Sequence, residues 1–165
     1  MAKRQVFYSF HFDNDCWRTN QVRNIGAIEG NKPVSANNWE QVKRKGDQAI
    51  KNWINSQLQG RSCTVVLAGS QTASRPWVKY EIEKSWELGK GVVGICIHKL
   101  KDSYGRISSK GNNPFSSCDF GDKKFDQIVK LYNPSGSDST QVYAWIENNI
   151  SAAIEQAIQI RNQYN

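Results

Sequence analysis

The sequence contains no long apolar run, and this absence excludes one class of protein. No stretch approaches the ~20 consecutive apolar residues that a membrane-spanning helix needs. The first residues pass from two basic side chains directly into a strand-like segment, without the apolar segment and cleavage site of a signal peptide. We therefore expect a cytoplasmic protein that does not associate with a membrane.

Cysteine and histidine are scarce as well. The sequence has four cysteines and two histidines, namely Cys16, Cys63, Cys96, Cys118, His11 and His98. The cysteines are widely spaced and form no CxxC pair that a histidine could complete as a metal site. The spacing therefore favours reduced structural thiols over a metal site or a disulfide framework. A GxGxxG motif is also missing after the first predicted strand, which argues against a Rossmann-type dinucleotide site.

Acidic residues are outnumbered, with 15 Asp and Glu against 22 Lys and Arg and a net charge of +7. Such a balance fits a nucleic-acid partner, a phosphate-bearing ligand or simple solubility. The cations are scattered, with small clusters at residues 43–45 and 123–124 and no long basic stripe. We therefore expect no nucleic-acid partner.

Apolar runs and helical patterns alternate along the 165 residues, a length that suits a single domain over residues 1–165. Strands are predicted at residues 4–10, 64–70, 91–97 and 125–132, with a further short strand within 24–30. The runs at 64–70 and 91–97 are continuous and rich in β-branched residues, as in strands of a parallel sheet that is covered on both faces.

Helical spacing of apolar residues predicts helices over residues 39–58 and 140–164, the second with Ser139 or Thr140 as its N-cap. A weaker helix follows Phe12, anchored by Trp17 and Val22. This alternation predicts an α/β fold: an open parallel sheet of about five strands with helices on both faces.

In such sheets, ligands bind beyond the carboxyl ends of the strands. The residues just after Phe10, Ser70 and Ile97 are therefore the first candidates for a binding site. The long connection over residues 99–124 is predicted to be a functional lid or an insertion.

A further helix is predicted in "SRPWVKYEIEKSWELGKG", residues 74–91, with Ser74 as its N-cap and Pro76 in its first turn. At about 100° per residue, Glu81 lies off the charged stripe and directly over Trp77. Two interpretations stand open. Glu81 is a border residue held by a backbone amide or a lysine, or it is a carboxylate at the sheet's crevice that binds sugar hydroxyls and stabilises a developing positive charge.

The motifs then show a family resemblance. Residues 74–82, "SRPWVKYEI", resemble the S-x-x-W-x-x-x-E-[IL] box of TIR domains, and residues 6–15, "VFYSFHFDND", resemble the first TIR box. Residues 46–74 resemble the stretch between the two boxes, so order and spacing agree over residues 6–97. Together, "WVKYEI", "KDSYGRI" and "SKGNNPF" resemble the TIR-like ThsB subunit of bacterial Thoeris anti-phage systems.

The resemblance implies a flavodoxin-like TIR fold and NAD+ as a substrate rather than a cofactor. It implies cleavage of the bond between nicotinamide and ribose, with a cyclic ADP-ribose isomer returned as a messenger for a separate effector protein. It also allows for a homo-oligomer and requires no metal. Mapped by motif, Glu81 is the catalytic residue, and the substrate-binding candidates are Ser9, Phe10, His11, Asp47, Ser74 and Trp77.

Alternatives remain for the residues and for the whole chain. Phe10 and Trp77 also suit core packing, His11 a turn, Asp47 a helix surface and Ser74 a helix cap. The domain could be a non-enzymatic adaptor that acts by self-association. A phosphoacceptor receiver on a similar fold would need acidic residues at the strand ends, where the first strand instead ends in Ser-Phe-His.

Overall fold

The central element is a sheet of five parallel strands. A computed structural model describes residues 4–26, 29–30, 41–120 and 123–164. Its strands are β1 (Gln5–Ser9), β2 (Glu29–Gly30), β3 (Cys63–Ala68), β4 (Gly91–Cys96), β5 (Asp119–Phe120), β6 (Lys123–Lys124) and β7 (Leu131–Tyr132). The sheet order is β2-β1-β3-β4-β7, whereas β5 and β6 form a separate antiparallel pair. All pairings within the large sheet are parallel, and the order is that of flavodoxin-like folds.

Helices cover both faces of this sheet. They are α1 (Phe12–Arg23), α2 (Asp47–Leu58), α3 (Pro76–Glu87), the short α4 (Phe125–Ile128) and α5 (Ser139–Asn162). Helix α5 packs its buried aliphatic side chains on one face, together with Val22 of α1. Helices α2 and α3 pack on the other face. The expected α/β architecture is confirmed.

Helix α5 lies very close to the start of β4. A Cβ atom at Gly91 would lie 2.8 Å from the backbone nitrogen of Ile158, closer than real side chains approach. The strand therefore needs glycine at this position for the helix to pack, which explains why a β-branched run opens with a residue of low strand propensity.

The prediction for residues 125–132 was wrong in its first half. This segment begins with the one-turn helix α4, and only Leu131–Tyr132 is strand. Phe125 and Val129 are both buried in one cluster, at the i, i+4 spacing of a helical turn, and the Phe125 ring lies edge-on to Trp86 with centroids 5.0 Å apart. Burial of Phe125 thus overrides the alternating pattern.

The other boundaries differ by smaller amounts. The helix predicted over 39–58 is divided in two: residues 41–44 are helical, Gly46 has φ 94°, and α2 begins at Asp47. Residues 39–40 lie outside the described part of the chain. Within 24–30 the strand is Glu29–Gly30, and residues 27–28 are likewise outside the described ranges.

The helix starts and one anchor also needed correction. Arg75, not Ser74, is the N-cap of α3, with Pro76 in the first turn as predicted. Asp138 caps α5 by accepting a hydrogen bond from the Gln141 backbone N–H at 2.9 Å, so Ser139 and Thr140 do not. Trp17 is 56% exposed and does not anchor α1, whereas Val22 does.

A buried ion pair anchors α1 in addition to Val22. Arg18, which is 3% exposed, forms a 3.1 Å salt bridge with Asp15 and donates hydrogen bonds to the carbonyl oxygens of Leu100 at 2.7 Å and Arg106 at 3.0 Å. Asp15 is packed so closely on Gly69 that a Cβ there would overlap its carboxylate. Helix α1 therefore holds the first part of the predicted lid against the carboxyl end of the sheet.

The four cysteines are free thiols. Among the described residues, no helix is both long and apolar enough to cross a membrane.

Candidate active site

A cavity opens at the carboxyl end of β1, between the turn into α1 and the first turns of α3. Its volume is about 200 Å³. This is less than the ~300–1,000 Å³ of pockets that enclose a drug-sized ligand, so it suits part of a larger ligand. The lining residues are Phe7, Tyr8, Phe10, His11, Phe12, Asp13, Arg23, Lys43, Trp53, Arg75, Pro76, Trp77, Val78 and Glu81.

Glu81 is the acidic group of the inner wall. Val78 and Ile82 pack on the sheet, and this orientation of α3 turns Glu81 inward, where it is 8% exposed. Ser9, the last residue of β1, donates a hydrogen bond from Oγ to Glu81 Oε1 at 3.0 Å. The carboxyl is thus held by one neutral donor and faces the cavity.

Burial dominates the electrostatics of this carboxyl. Desolvation raises the pKa of Glu81 to about 8, and the hydrogen bond from Ser9 lowers the pKa by a smaller amount. No lysine or arginine forms a salt bridge with Glu81 within the described parts of the chain. A carboxyl with so high a pKa, placed in a cavity, is the pattern of a functional acid.

Aromatic rings form much of the remaining wall. Trp77 lies one helical turn before Glu81, packs edge-on to Tyr80 with centroids 5.8 Å apart, and contacts the cluster of Phe7 and α2. In the turn after β1, Phe10 lies 6.2 Å from Phe12, measured between ring centroids. These rings offer flat apolar surfaces on which a heteroaromatic ring or a sugar can pack.

His11 is both a wall residue and the N-cap of α1. It has extended backbone angles, and its Nδ1 atom is buried without a hydrogen-bond partner in the described part of the structure. Burial lowers the pKa of His11, and the positive charge of Arg75 lowers it further. The imidazole is therefore neutral at physiological pH.

The sequence-predicted site residues are only partly brought together. Phe10, His11, Trp77 and Glu81 line the cavity, and Ser9 contacts it through Glu81. Asp47 is exposed at the start of α2 and is not part of the wall. Ser74 is exposed as well, and its hydroxyl donates to the Gln71 carbonyl oxygen at 2.9 Å.

Several wall residues were missed by sequence analysis. The charged ones are Arg23, Lys43 and Arg75, and the aromatic ones include Phe12 and Trp53. Arg75 stands inside the "SRPW" motif, and Lys43 belongs to a basic cluster that the sequence does show. Both residues are visible in the sequence as cations near a motif or in a cluster. That they meet at one cavity depends on how α3 and residues 41–44 pack around β1.

The described residues contain no group of three or more His, Cys, Asp or Glu side chains that could hold a metal ion.

Comparison with known proteins places the chain in a family. The family model of the Thoeris protein ThsB, TIR-like domain, matches residues 7–102. A protein of Bacillus cereus (strain MSX-D12), named "Putative cyclic ADP-D-ribose synthase ThsB1", is 43% identical over 141 residues, which cover 82% of this chain and 73% of the relative. The matched region contains α3 and every residue that lines the cavity, and the chain belongs to the ThsB family of Thoeris TIR-like proteins.

Proposed function

We propose that this protein consumes NAD+, breaks the bond between nicotinamide and ribose, and converts the remaining ADP-ribose into a cyclic isomer. This isomer acts as a second messenger for a separate effector protein in anti-phage defence. The observation that carries the proposal is the buried Glu81 in an aromatic-walled cavity of a ThsB-family chain. The name of the Bacillus cereus relative supports the class of product.

The bond changes assign Glu81 an electrostatic role. The bond between ribose C1′ and the pyridinium nitrogen breaks, and nicotinamide leaves as a neutral molecule with the bonding electron pair. C1′ and the ring oxygen then share a positive charge, which an ionised carboxylate stabilises. A nucleophilic atom of the same ADP-ribose attacks C1′, so that NAD+ yields a cyclic isomer, nicotinamide and one proton.

The protonation state of Glu81 fits this role. With a pKa of about 8, the carboxyl is mostly protonated in the empty site at neutral pH. The positively charged nicotinamide ring of NAD+ favours the ionised form when it binds beside it. Ser9 holds Oε1, which leaves Oε2 for a ribose hydroxyl.

Residues outside the matched region contribute to the same unit. The buried residues of α5 share one core with those of β1, β3 and β4. We propose on this basis that residues 1–165 act as a single TIR-like domain.

The test compares wild-type protein with Glu81→Gln, which keeps the size of the side chain and removes its charge. Nicotinamide and cyclic ADP-ribose isomers are measured by mass spectrometry, with purified protein and in extracts of phage-infected cells. We expect both products from wild type and neither from Glu81→Gln. The control is Glu87→Gln, an exposed carboxylate on the same helix.

Equal product from Glu81→Gln and wild type would refute the assignment of Glu81. If infected cells with wild-type protein contained no NAD-derived product, while defence still required the protein, the adaptor function would replace the enzymatic one.

A further inference from the structure

The wall of the cavity carries more cationic groups than the reaction at Glu81 uses. Arg23, Lys43 and Arg75 line the cavity, whereas the acidic lining residues are Asp13 and Glu81. The Arg23 guanidinium lies over the Tyr8 ring, 5.3 Å from its centroid, and so has a packing role. Lys43 and Arg75 are the other two cations of the lining.

Arg75 and Lys43 lie near the same part of the wall. Both lower the pKa of His11 by their positive charge, Arg75 more than Lys43, whereas Asp15 and Asp13 raise it, so both cations are within electrostatic reach of one imidazole. The turn after β1 therefore faces two cations, one from the start of α3 and one from residues 41–44.

The start of α3 adds to this positive character. Arg75 is its N-cap, no side chain caps the first turn, and the first turn contains no acidic residue. Arg75, Pro76, Trp77 and Val78 all line the cavity, so the positive end of the helix dipole opens onto it. Helix α1 also starts at the cavity, but it carries Asp13 and Asp15 in its first turn.

The guanidinium of Arg75 has spare hydrogen-bonding capacity. One terminal nitrogen donates to Gln71 Oε1 at 3.1 Å. Its Nε atom is buried, and no acceptor for it lies within hydrogen-bond distance among the described residues. A buried cationic donor without an acceptor is unfavourable, and an anionic ligand at this position would supply the acceptor.

We propose that Arg75, supported by Lys43 and the first turn of α3, binds the diphosphate of a dinucleotide ligand whose ribose lies at Glu81. This inference rests on the proposed function for the identity of the ribose end. A guanidinium binds phosphate oxygens in a bidentate manner, and a lysine adds a point charge. A cavity of about 200 Å³ holds the ribose and its base, and the diphosphate lies at the mouth.

The test is a binding experiment without turnover. In a Glu81→Gln background, isothermal titration calorimetry compares NAD+ with nicotinamide riboside, which has the same base and ribose but no diphosphate. Arg75→Gln should weaken NAD+ binding by about tenfold to a hundredfold, as expected for a lost charge-assisted hydrogen bond. It should leave the affinity for nicotinamide riboside unchanged.

Two further variants separate charge from geometry. Arg75→Lys keeps the charge but loses the planar guanidinium, so it should restore only part of the NAD+ affinity. Lys79→Gln, on the exposed face of α3, removes the same charge away from the cavity and should have little effect. Thermal unfolding of each variant verifies that it is folded.

Equal losses for NAD+ and nicotinamide riboside, or equal losses from Arg75→Gln and Lys79→Gln, would overturn the subsite. ADP-ribose, which has the diphosphate but no nicotinamide, is titrated as well. The absence of measurable binding of both NAD+ and ADP-ribose would also overturn the subsite. Nicotinamide release judges the proposed function separately. If the protein binds ADP-ribose through Arg75 but never releases nicotinamide, the subsite is retained and the proposed enzymatic function is refuted. If the protein releases nicotinamide but Arg75→Gln leaves NAD+ binding unaltered, the enzymatic function is retained and the subsite is refuted.

Discussion

Burial of Glu81 predicts a pH-dependent loss of stability that can be measured without any substrate. In the unfolded chain this carboxyl ionises near its ordinary pKa of 4.5, whereas in the folded protein its pKa is about 8. Between these values the unfolded state releases a proton that the folded state retains. Stability linked to this group is therefore fully present below pH 4.5 and is lost as the pH rises towards 8.

One proton sets the slope of the free energy of unfolding against pH. It amounts to about 1.4 kcal/mol per pH unit over the middle of the interval. From pH 5.5 to pH 7.5, the free energy of unfolding of wild type should fall by about 2 to 3 kcal/mol relative to Glu81→Gln. The glutamine variant lacks this titration and fits the same space.

The measurement is guanidinium chloride unfolding of both proteins at several pH values in this range. Glu87→Gln, at an exposed position on the same helix, controls for the change in net charge. The free energy of unfolding of wild type should fall relative to that of Glu81→Gln as the pH rises. Parallel curves for wild type and Glu81→Gln would refute the reasoning, because they would mean that Glu81 ionises in the folded protein as it does in the unfolded chain.

Two other substitutions test contacts of the same region. Ser9→Ala removes the hydrogen bond that lowers the pKa of Glu81, so the pH at half-maximal nicotinamide release should rise by about one to two units. Ser9→Thr, which keeps a hydroxyl, is the control. An unchanged pH midpoint in Ser9→Ala would contradict the prediction. Arg18→Met leaves Asp15 buried without its partner and should cost about 3–5 kcal/mol of unfolding free energy, part of which Asp15→Asn should restore in the double variant. A loss below about 1 kcal/mol in the single variant would show that the pair does not anchor α1.

Much of the sheet could be predicted because its strands leave a strong local signal. β3 and β4 are continuous apolar runs, and both are buried along their whole length. The segment from Phe125 to Val129 was harder, because its alternating pattern and its i, i+4 burial point to different structures, and packing against Trp86 decides between them.

The site was predictable where its residues share one helix. Trp77 and Glu81 are four positions apart, so their common face follows from helical geometry. The contact between Ser9 and Glu81 joins residues 72 positions apart, and it depends on the adjacency of β1 and β3 in the sheet. No prediction was made for Arg75 from the sequence, because its position on the cavity wall depends on the way α3 lies against β1.

The packing of α5 has a consequence for synthesis in the cell. Its side chains Val142, Ile146, Ile150 and Ile154 cover the same core as residues of β1, β3 and β4. When the ribosome translates residues 139–162, β1, β3 and β4 have already left the exit tunnel, but the helix that covers this face has not. The nascent chain therefore exposes an apolar sheet surface until this segment leaves the exit tunnel, and during that interval it is a natural client for a chaperone.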